Sequence, residues 1–283
     1  MQQVEAIADL RAVVRRWRQA GESIAFVPTM GNLHAGHLDL VGRAQELADR
    51  TVVSIFVNPL QFGPREDYAA YPRTLERDRT LLQSAGADLL FAPSVQAIYP
   101  QGQQDVTRVH VPRLSDILCG AFRPGHFDGV ATIVAKLFNL VQPDCAIFGK
   151  KDYQQWRLIE SMVSELAIPV SIVGAPTVRE QDGLAMSSRN QYLSSEERRR
   201  APELYKCLSG IRDRLVEGDR NFGYMQAQAM QQLESLGFRP QYVEIRNPWN
   251  LASPDADTRE YVVLAAAYLG QTRLIDNLEI LPT

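Results

Sequence analysis

Two histidines, His34 and His37, stand three positions apart in the stretch Pro28-Thr29-Met30-Gly31-Asn32-Leu33-His34-Ala35-Gly36-His37. The chain holds only four histidines, so a pair this close marks a place where chemistry is expected. Imidazoles can give hydrogen bonds to charge that develops on a transferring phosphoryl group. Gly31 and Gly36 remove side chains where a ligand approaches the backbone. Zinc is the competing reading, and it lacks a Cys, Asp or Glu at ligand spacing on the same turn.

The elements that position this pair follow from the flanking residues. Ile24-Ala25-Phe26-Val27 is a short apolar run of the kind that forms a buried strand. Leu38, Leu40, Val41, Ala44 and Leu47 then recur at helical spacing. The histidines therefore fall where a strand turns into a helix, and a helix N-terminus offers unpaired N–H groups and partial positive charge to a phosphate. Further along, residues 2–20 predict a helix ending at Gly21. Thr51–Val57 predicts a strand, 74–85 a helix, Ala87–Phe91 a strand, Val130–Leu140 a helix, and Cys145–Phe148 a strand leading into Gly149-Lys150-Lys151-Asp152. Tyr153–Leu166 predicts a helix and Val170–Val173 a strand. Such alternation implies right-handed βαβ units and a doubly wound, mostly parallel Rossmann-like sheet, with ligands outside the carboxyl ends of the strands. The histidine turn, the Asn58-Pro59-Leu60-Gln61-Phe62-Gly63 loop and the Gly149–Asp152 turn all lie at that edge. Beyond residue 175 the pattern changes to a polar loop, a long helix from Glu196 to Leu215, a helix over Phe222–Leu236, and strands at Gln241–Ile245, Tyr261–Tyr268 and Thr272–Ile275. The expected division is 1–175 for a Rossmann-like domain that carries these turns and 176–283 for a smaller α+β domain.

Composition narrows the class. A chain of 283 residues that is 45% hydrophobic and 22% charged is an ordinary globular protein large enough for two domains. Its net charge of −3 speaks against a nucleic-acid or membrane-surface binder. Arg11, Arg15, Arg16 and Arg18 interrupt the first helix, which excludes a signal peptide, and no apolar run is long enough to span a membrane. Cys119, Cys145 and Cys207 are odd in number and widely spaced, which points to a reducing, cytoplasmic setting.

The histidine turn combines with Phe56-Val57-Asn58-Pro59-Leu60-Gln61-Phe62-Gly63, Tyr71-Pro72-Arg73-Thr74, Phe148-Gly149-Lys150-Lys151-Asp152-Tyr153-Gln154-Gln155, Pro176–Glu180 and Met186-Ser187-Ser188-Arg189-Asn190. On these motifs, spread over nearly the whole chain, it resembles the pantothenate synthetase (pantoate–β-alanine ligase) family of the HxGH nucleotidylyltransferase superfamily. The resemblance implies that ATP, pantoate and β-alanine give pantothenate, AMP and pyrophosphate through pantoyl adenylate. It implies ATP contacts from Met30, Gly31, Asn32, Leu33, His34, Ala35, Gly36, His37, Gly149, Lys150, Lys151, Asp152, Val178, Met186, Ser187, Ser188 and Arg189. His37, His34 and Lys151 are the catalytic candidates, and Lys150 is the solvated neighbour of Lys151. Gln61, Gln155, Asn58 and Tyr71 are the substrate candidates, and Arg123 and His126 line the same cleft. Mg²⁺ is implied with ATP. Where some relatives carry consecutive aspartates after Tyr-Pro-Arg-Thr, this chain has Arg77-Asp78, so Asp78 is the one carboxylate there to help position the ion, and the protein ligands of the metal stay unassigned. A homodimer is implied as well. The alternatives are another HxGH nucleotidylyltransferase, and a tRNA-binding relative of class I synthetases, which the acidic balance disfavours.

Overall fold

The computed structural model describes residues 1–64, 66–255 and 257–281. The chain divides into two units, Met1–Lys150 with Gln155–Pro176, and Lys151–Gln154 with Thr177–Thr283.

The first unit runs β1 (Gln2–Val4), α1 (Ile7–Gln19), β2 (Ile24–Thr29), α2 (Ala35–Leu47), β3 (Arg50–Ile55), α3 (Leu75–Ser84), β4 (Leu89–Phe91), α4 (Val95–Ile98), α5 (Cys119–Phe122), α6 (His126–Val141), β5 (Cys145–Gly149), α7 (Tyr153–Glu165, whose first two residues belong to the second unit) and β6 (Ser171–Ala175). The six strands pair in parallel in the order β1-β4-β3-β2-β5-β6. Alternation along β2 sends Ala25 and Val27 into one apolar layer with Leu40, Val41 and Ala44 of α2 and Leu82 of α3. Phe26 faces the other way and meets Phe138 of α6 edge-on at 6.4 Å. Covering both faces explains why these strands are continuously apolar. From β2 the chain winds outward through β3 and β4, then restarts on the opposite side of β2 with β5 and β6. This reversal opens a crevice at the carboxyl ends of β2 and β5, the usual place for a ligand in such sheets.

The second unit holds α8 (Ser195–Arg200), α9 (Glu203–Val216), α10 (Phe222–Ser235), β7 (Phe238–Arg246), β8 (Tyr261–Leu269) and β9 (Thr272–Ile280). Its sheet is antiparallel with β8 in the middle. Leu204, Leu208 and Ile211 of α9 and Met225 and Leu233 of α10 bury against Val243, Val263 and Ala265. The run Val262–Ala267 is buried throughout, and its alternate members Val263, Ala265 and Ala267 belong to this core.

Three elements differ from the sequence reading. Residues 2–4 form an edge strand instead of starting a helix: Gln2 N–H donates to Asp88 O at 2.9 Å, and Val4 O accepts from Ala92 N–H at 3.0 Å. Val4 fits a helical period and a buried strand equally, so periodicity could not separate them. The long helix expected from Glu196 is interrupted between α8 and α9, where Pro202 has no N–H to continue the ladder. Strand β9 runs five residues further than expected, carrying the polar pair Asp276-Asn277 inside it. Among the described residues no helix is long and apolar enough to cross a membrane. All three cysteines are free and buried, and burial pushes the Cys207 thiol up to about 11.

Candidate active site

The turn after β2 is built from hydrogen bonds that begin in the strand. Thr29 Oγ1 donates to Ser54 O at 2.8 Å and accepts from Gly31 N–H at 3.2 Å. Gly31 and Asn32 then take left-handed backbone angles, φ 80° and 51°. A Cβ on Gly31 would stand 3.0 Å from Ile55 Cγ2 and 3.1 Å from Asp78 Oδ2, so close approach as well as φ requires glycine. His34 is the N-cap of α2, with His37 one turn into the helix. Their rings lie against each other, tilted by 41°, with centroids 4.0 Å apart. His37 Nδ1 accepts from the His34 backbone N–H at 3.3 Å. With Nδ1 used as an acceptor, the ring proton of neutral His37 sits on Nε2, which makes that atom a donor. Leu33, within the stretch expected to line the nucleotide, has a side chain that is 1% exposed and belongs to the core layer under α2.

The loop after β3 is held just as tightly. Asn58 is buried, and its amide serves four bonds: Oδ1 accepts from Tyr99 Oη at 2.8 Å and Leu60 N–H at 3.3 Å, while Nδ2 donates to Gly129 O at 3.0 Å and Gln61 Oε1 at 3.2 Å. Those four bonds engage both donors and both acceptor positions of the amide, and they shape the turn around Gln61. Gln61 Nε2 donates to Met30 Sδ at 3.2 Å, joining this loop to the histidine turn. Tyr71 is buried with its ring edge-on to Phe62 at 5.8 Å. Arg123 and His126 act on the loop's backbone: His126 Nδ1 lies 2.7 Å from Gln61 O, and Arg123 Nη1 lies 3.0 Å from His126 Nε2. Since arginine only donates, His126 Nε2 accepts and Nδ1–H donates to Gln61 O. Arg123 also forks onto Glu66 with two 2.6 Å bonds. Burial raises the Glu66 carboxyl, and the hydrogen bonds and charge of Arg123 more than offset that, so it titrates below the usual range.

Beyond β5, Gly149 leads into a tight 3₁₀ turn over Lys150–Asp152. Lys150 is not simply solvated, since its Nζ lies 4.8 Å from the Trp156 ring centre. Gln155 is half-buried on the first turn of α7. In the second unit, Lys151 Nζ sits 3.7 Å from Asp152, and Asn277 Nδ2 donates to Lys151 O at 2.9 Å. A small hairpin brings Val178 and Met186 together, with Met186 N–H donating to Val178 O at 3.0 Å. Arg179 anchors this hairpin: it donates to Gly183 O, stacks 3.8 Å from the Tyr205 ring centre, and binds both oxygens of Asp276 at 2.6 and 2.9 Å. Burial raises the Asp276 carboxyl, and Arg179 offsets this only in part. Ser187 caps the 3₁₀ turn holding Ser188 and Arg189 by accepting from Arg189 N–H at 3.2 Å.

Asp78, the carboxylate expected to help position Mg²⁺, is engaged by protein groups. It is fully buried, and its oxygens accept from Asn32 N–H, Leu33 N–H and Thr74 Oγ1. Among the described residues no group of three or more His, Cys, Asp or Glu is arranged to hold an ion. Sequence reasoning did not find Glu66, Tyr99, Arg179, Asp276 or Asn277 as supports of these turns. The one available signal was a charged residue inside an apolar strand pattern, at Asp276.

A parallel α/β sheet with paired imidazoles at the turn where its winding reverses defines an enzyme that handles nucleotide phosphates. The family model for pantoate-beta-alanine ligase matches residues 2–279. Pantothenate synthetase of Pseudomonas entomophila is 55% identical over 98% of this chain and 97% of its own length. Crystalline pantothenate synthetase from Thermus thermophilus superposes with a TM-score of 0.93 at 49% identity, covering all of both chains. A Francisella tularensis pantoate-beta-alanine ligase, solved with beta-gamma ATP and beta-alanine, gives 0.83 at 34% identity over 98% of this chain and 97% of that one. The chain belongs to the pantoate-beta-alanine ligase family.

Proposed function

We propose that this ligase joins pantoate to β-alanine at the expense of ATP, through pantoyl adenylate, with His34 and His37 at the phosphates. The observation that carries the site assignment is His37: its Nδ1 is occupied by backbone, so Nε2–H is a fixed donor at the start of α2. Pantoate's carboxylate is already ionised at neutral pH and attacks the α-phosphorus, and pyrophosphate leaves. That step needs charge stabilised more than it needs a base, which suits imidazole donors and the Lys151 ammonium. The amine of β-alanine then attacks the acyl carbon and expels AMP. The side-chain amides of Gln61 and Gln155 are assigned to pantoate, and Val178, Met186, Ser187, Ser188 and Arg189 to ATP. Tyr71 is kept as a substrate contact. Mg²⁺ enters with ATP as part of the substrate, carried by phosphate oxygens and water, since Asp78 is committed elsewhere. A cytoplasmic homodimer is the proposed working form, and light scattering giving a monomer mass at micromolar concentrations would reject the dimer.

The test is AMP release with ATP, pantoate and β-alanine, each omitted in turn. AMP should appear only with all three, while exchange of labelled pyrophosphate into ATP should need pantoate alone. Exchange that ignores pantoate would favour another nucleotidyl transfer.

A further inference from the structure

We propose that Asp78 is a positioning residue for the histidine pair, an internal anion that fills the turn's own anion-binding nest. Successive backbone N–H groups in a turn can converge to form a concavity that binds anions. Here the turn passes through Gly31 and Asn32, both at positive φ, and the N–H groups of Asn32 and Leu33 meet one carboxylate, each on its own oxygen, at 2.8 and 2.9 Å. Thr74 Oγ1 donates to the same carboxylate at 3.1 Å. Asp78 is 0% exposed, so the nest is closed from solvent and from any phosphate. These two donors, which in other nucleotide folds would hold substrate, are spent inside the protein. The nucleotide is thereby left to the side chains that follow immediately, His34 and His37. Gly31 permits the arrangement, because any Cβ there would press on Asp78 Oδ2. The chain leaves the nest at Leu33, whose side chain is locked in the core, and enters α2 at His34. The carboxylate thus fixes the backbone on which both imidazoles are mounted.

This inference rests on the histidines serving adenylate formation, and the experiment separates the two. Asp78→Asn keeps size but sets an amide N–H₂ or a weaker acceptor against the two backbone donors. Folded D78N should lose about 10- to 100-fold in kcat for adenylate formation, the scale of a roughly 1 Å misplacement of catalytic groups. The ¹⁵N resonances of His37 should shift at the same time, since its Nδ1 bond to the His34 backbone depends on this turn; a role in stability alone would leave both unchanged at temperatures well below unfolding. Thr74→Val removes one neutral bond and should move the same readouts less, about two- to tenfold in kcat. Wild-type kcat and wild-type His37 resonances in folded D78N would overturn the proposal. If D78N does not fold, the same result in T74V would overturn it. An inactive wild-type protein would instead sink the functional reading, and the resonance measurement would still decide the role of Asp78.

Discussion

Replacing Gly129 with alanine sets two calculable effects against each other. Gly129 lies in α6, where alanine is intrinsically favoured over glycine by about 1 kcal/mol. A Cβ at this position would, however, stand 2.4 Å from Leu60 O, 2.5 Å from Leu60 C and 2.7 Å from Gln61 N. Ordinary contact begins at 3.4 Å, so the two segments must part by about 1.0 Å (3.4 − 2.4), and no side chain can rotate out of the way because all three atoms are backbone. Overpacking of this kind costs about 1–3 kcal/mol, so the net change should lie between neutral and about 2 kcal/mol destabilising. The larger effect should be kinetic. The turn that moves carries Gln61, and its anchor Asn58 donates to Gly129 O itself. A displacement near 1 Å predicts a loss of about 10²-fold in kcat/KM for pantoate. Gly210→Ala in α9 is the control, because nothing lies within 4 Å of its Cβ position; it should gain up to about 1 kcal/mol with activity unchanged. Urea unfolding and initial rates over a pantoate series measure both terms. A G129A protein as active as wild type and more stable would show that the Gln61 turn does not depend on its seat against α6.

Three further outcomes are expected. His37→Ala should fold normally and lose about 10²–10³ in adenylate formation, measured by pyrophosphate exchange, because one transition-state donor disappears. Arg179→Ala should destabilise by about 3–5 kcal/mol by leaving a buried carboxylate unpaired. Asp276 has a raised folded-state pKa, so the native state holds its proton more readily than the unfolded chain. Stability therefore falls as pH rises above its ordinary value of 3.8, and R179A should lose more at pH 8 than at pH 5 in urea titrations; a pH-independent loss would refute the buried-charge account. Amides of residues 181–189 should exchange more slowly with ATP and pantoate together than without them, and Arg189→Ala should weaken catalysis with little change in unfolding midpoint; equal protection in both states would speak against a ligand-ordered segment.

The histidine turn, the Asn58–Gly63 loop and the Gly149–Asp152 turn were legible because each follows an apolar run that has one plausible fate, a covered parallel strand. Their supports were not legible, because they come from far along the chain. Asp78 reaches Asn32 from 46 residues away, and Arg123 reaches Glu66 from 57. Neither spacing leaves a local period to read. The resemblance offered Asp78 to a metal; its burial and its two backbone donors could not be read from the sequence. Asn58 illustrates the same limit: its type suits substrate binding, and its four bonds within the protein could not be read from that type. The break between α8 and α9 falls at Pro202, which the helical period of the residues around it does not show.

Strand β1 carries a consequence for synthesis. Among the described residues its one ladder is with β4, pairing Gln2 with Leu89 and Val4 with Phe91. At about 5–20 residues per second on the ribosome, the 87 residues between such partners (89 − 2) take about 4–17 s to appear. During that interval β2 and β3, whose partners lie only 26 residues apart at Ile24 and Arg50, can already zip together. Residues 2–4 are thus seated well after they are made, and an unpaired β1 edge is open to strand exchange with a neighbouring nascent chain until β4 arrives.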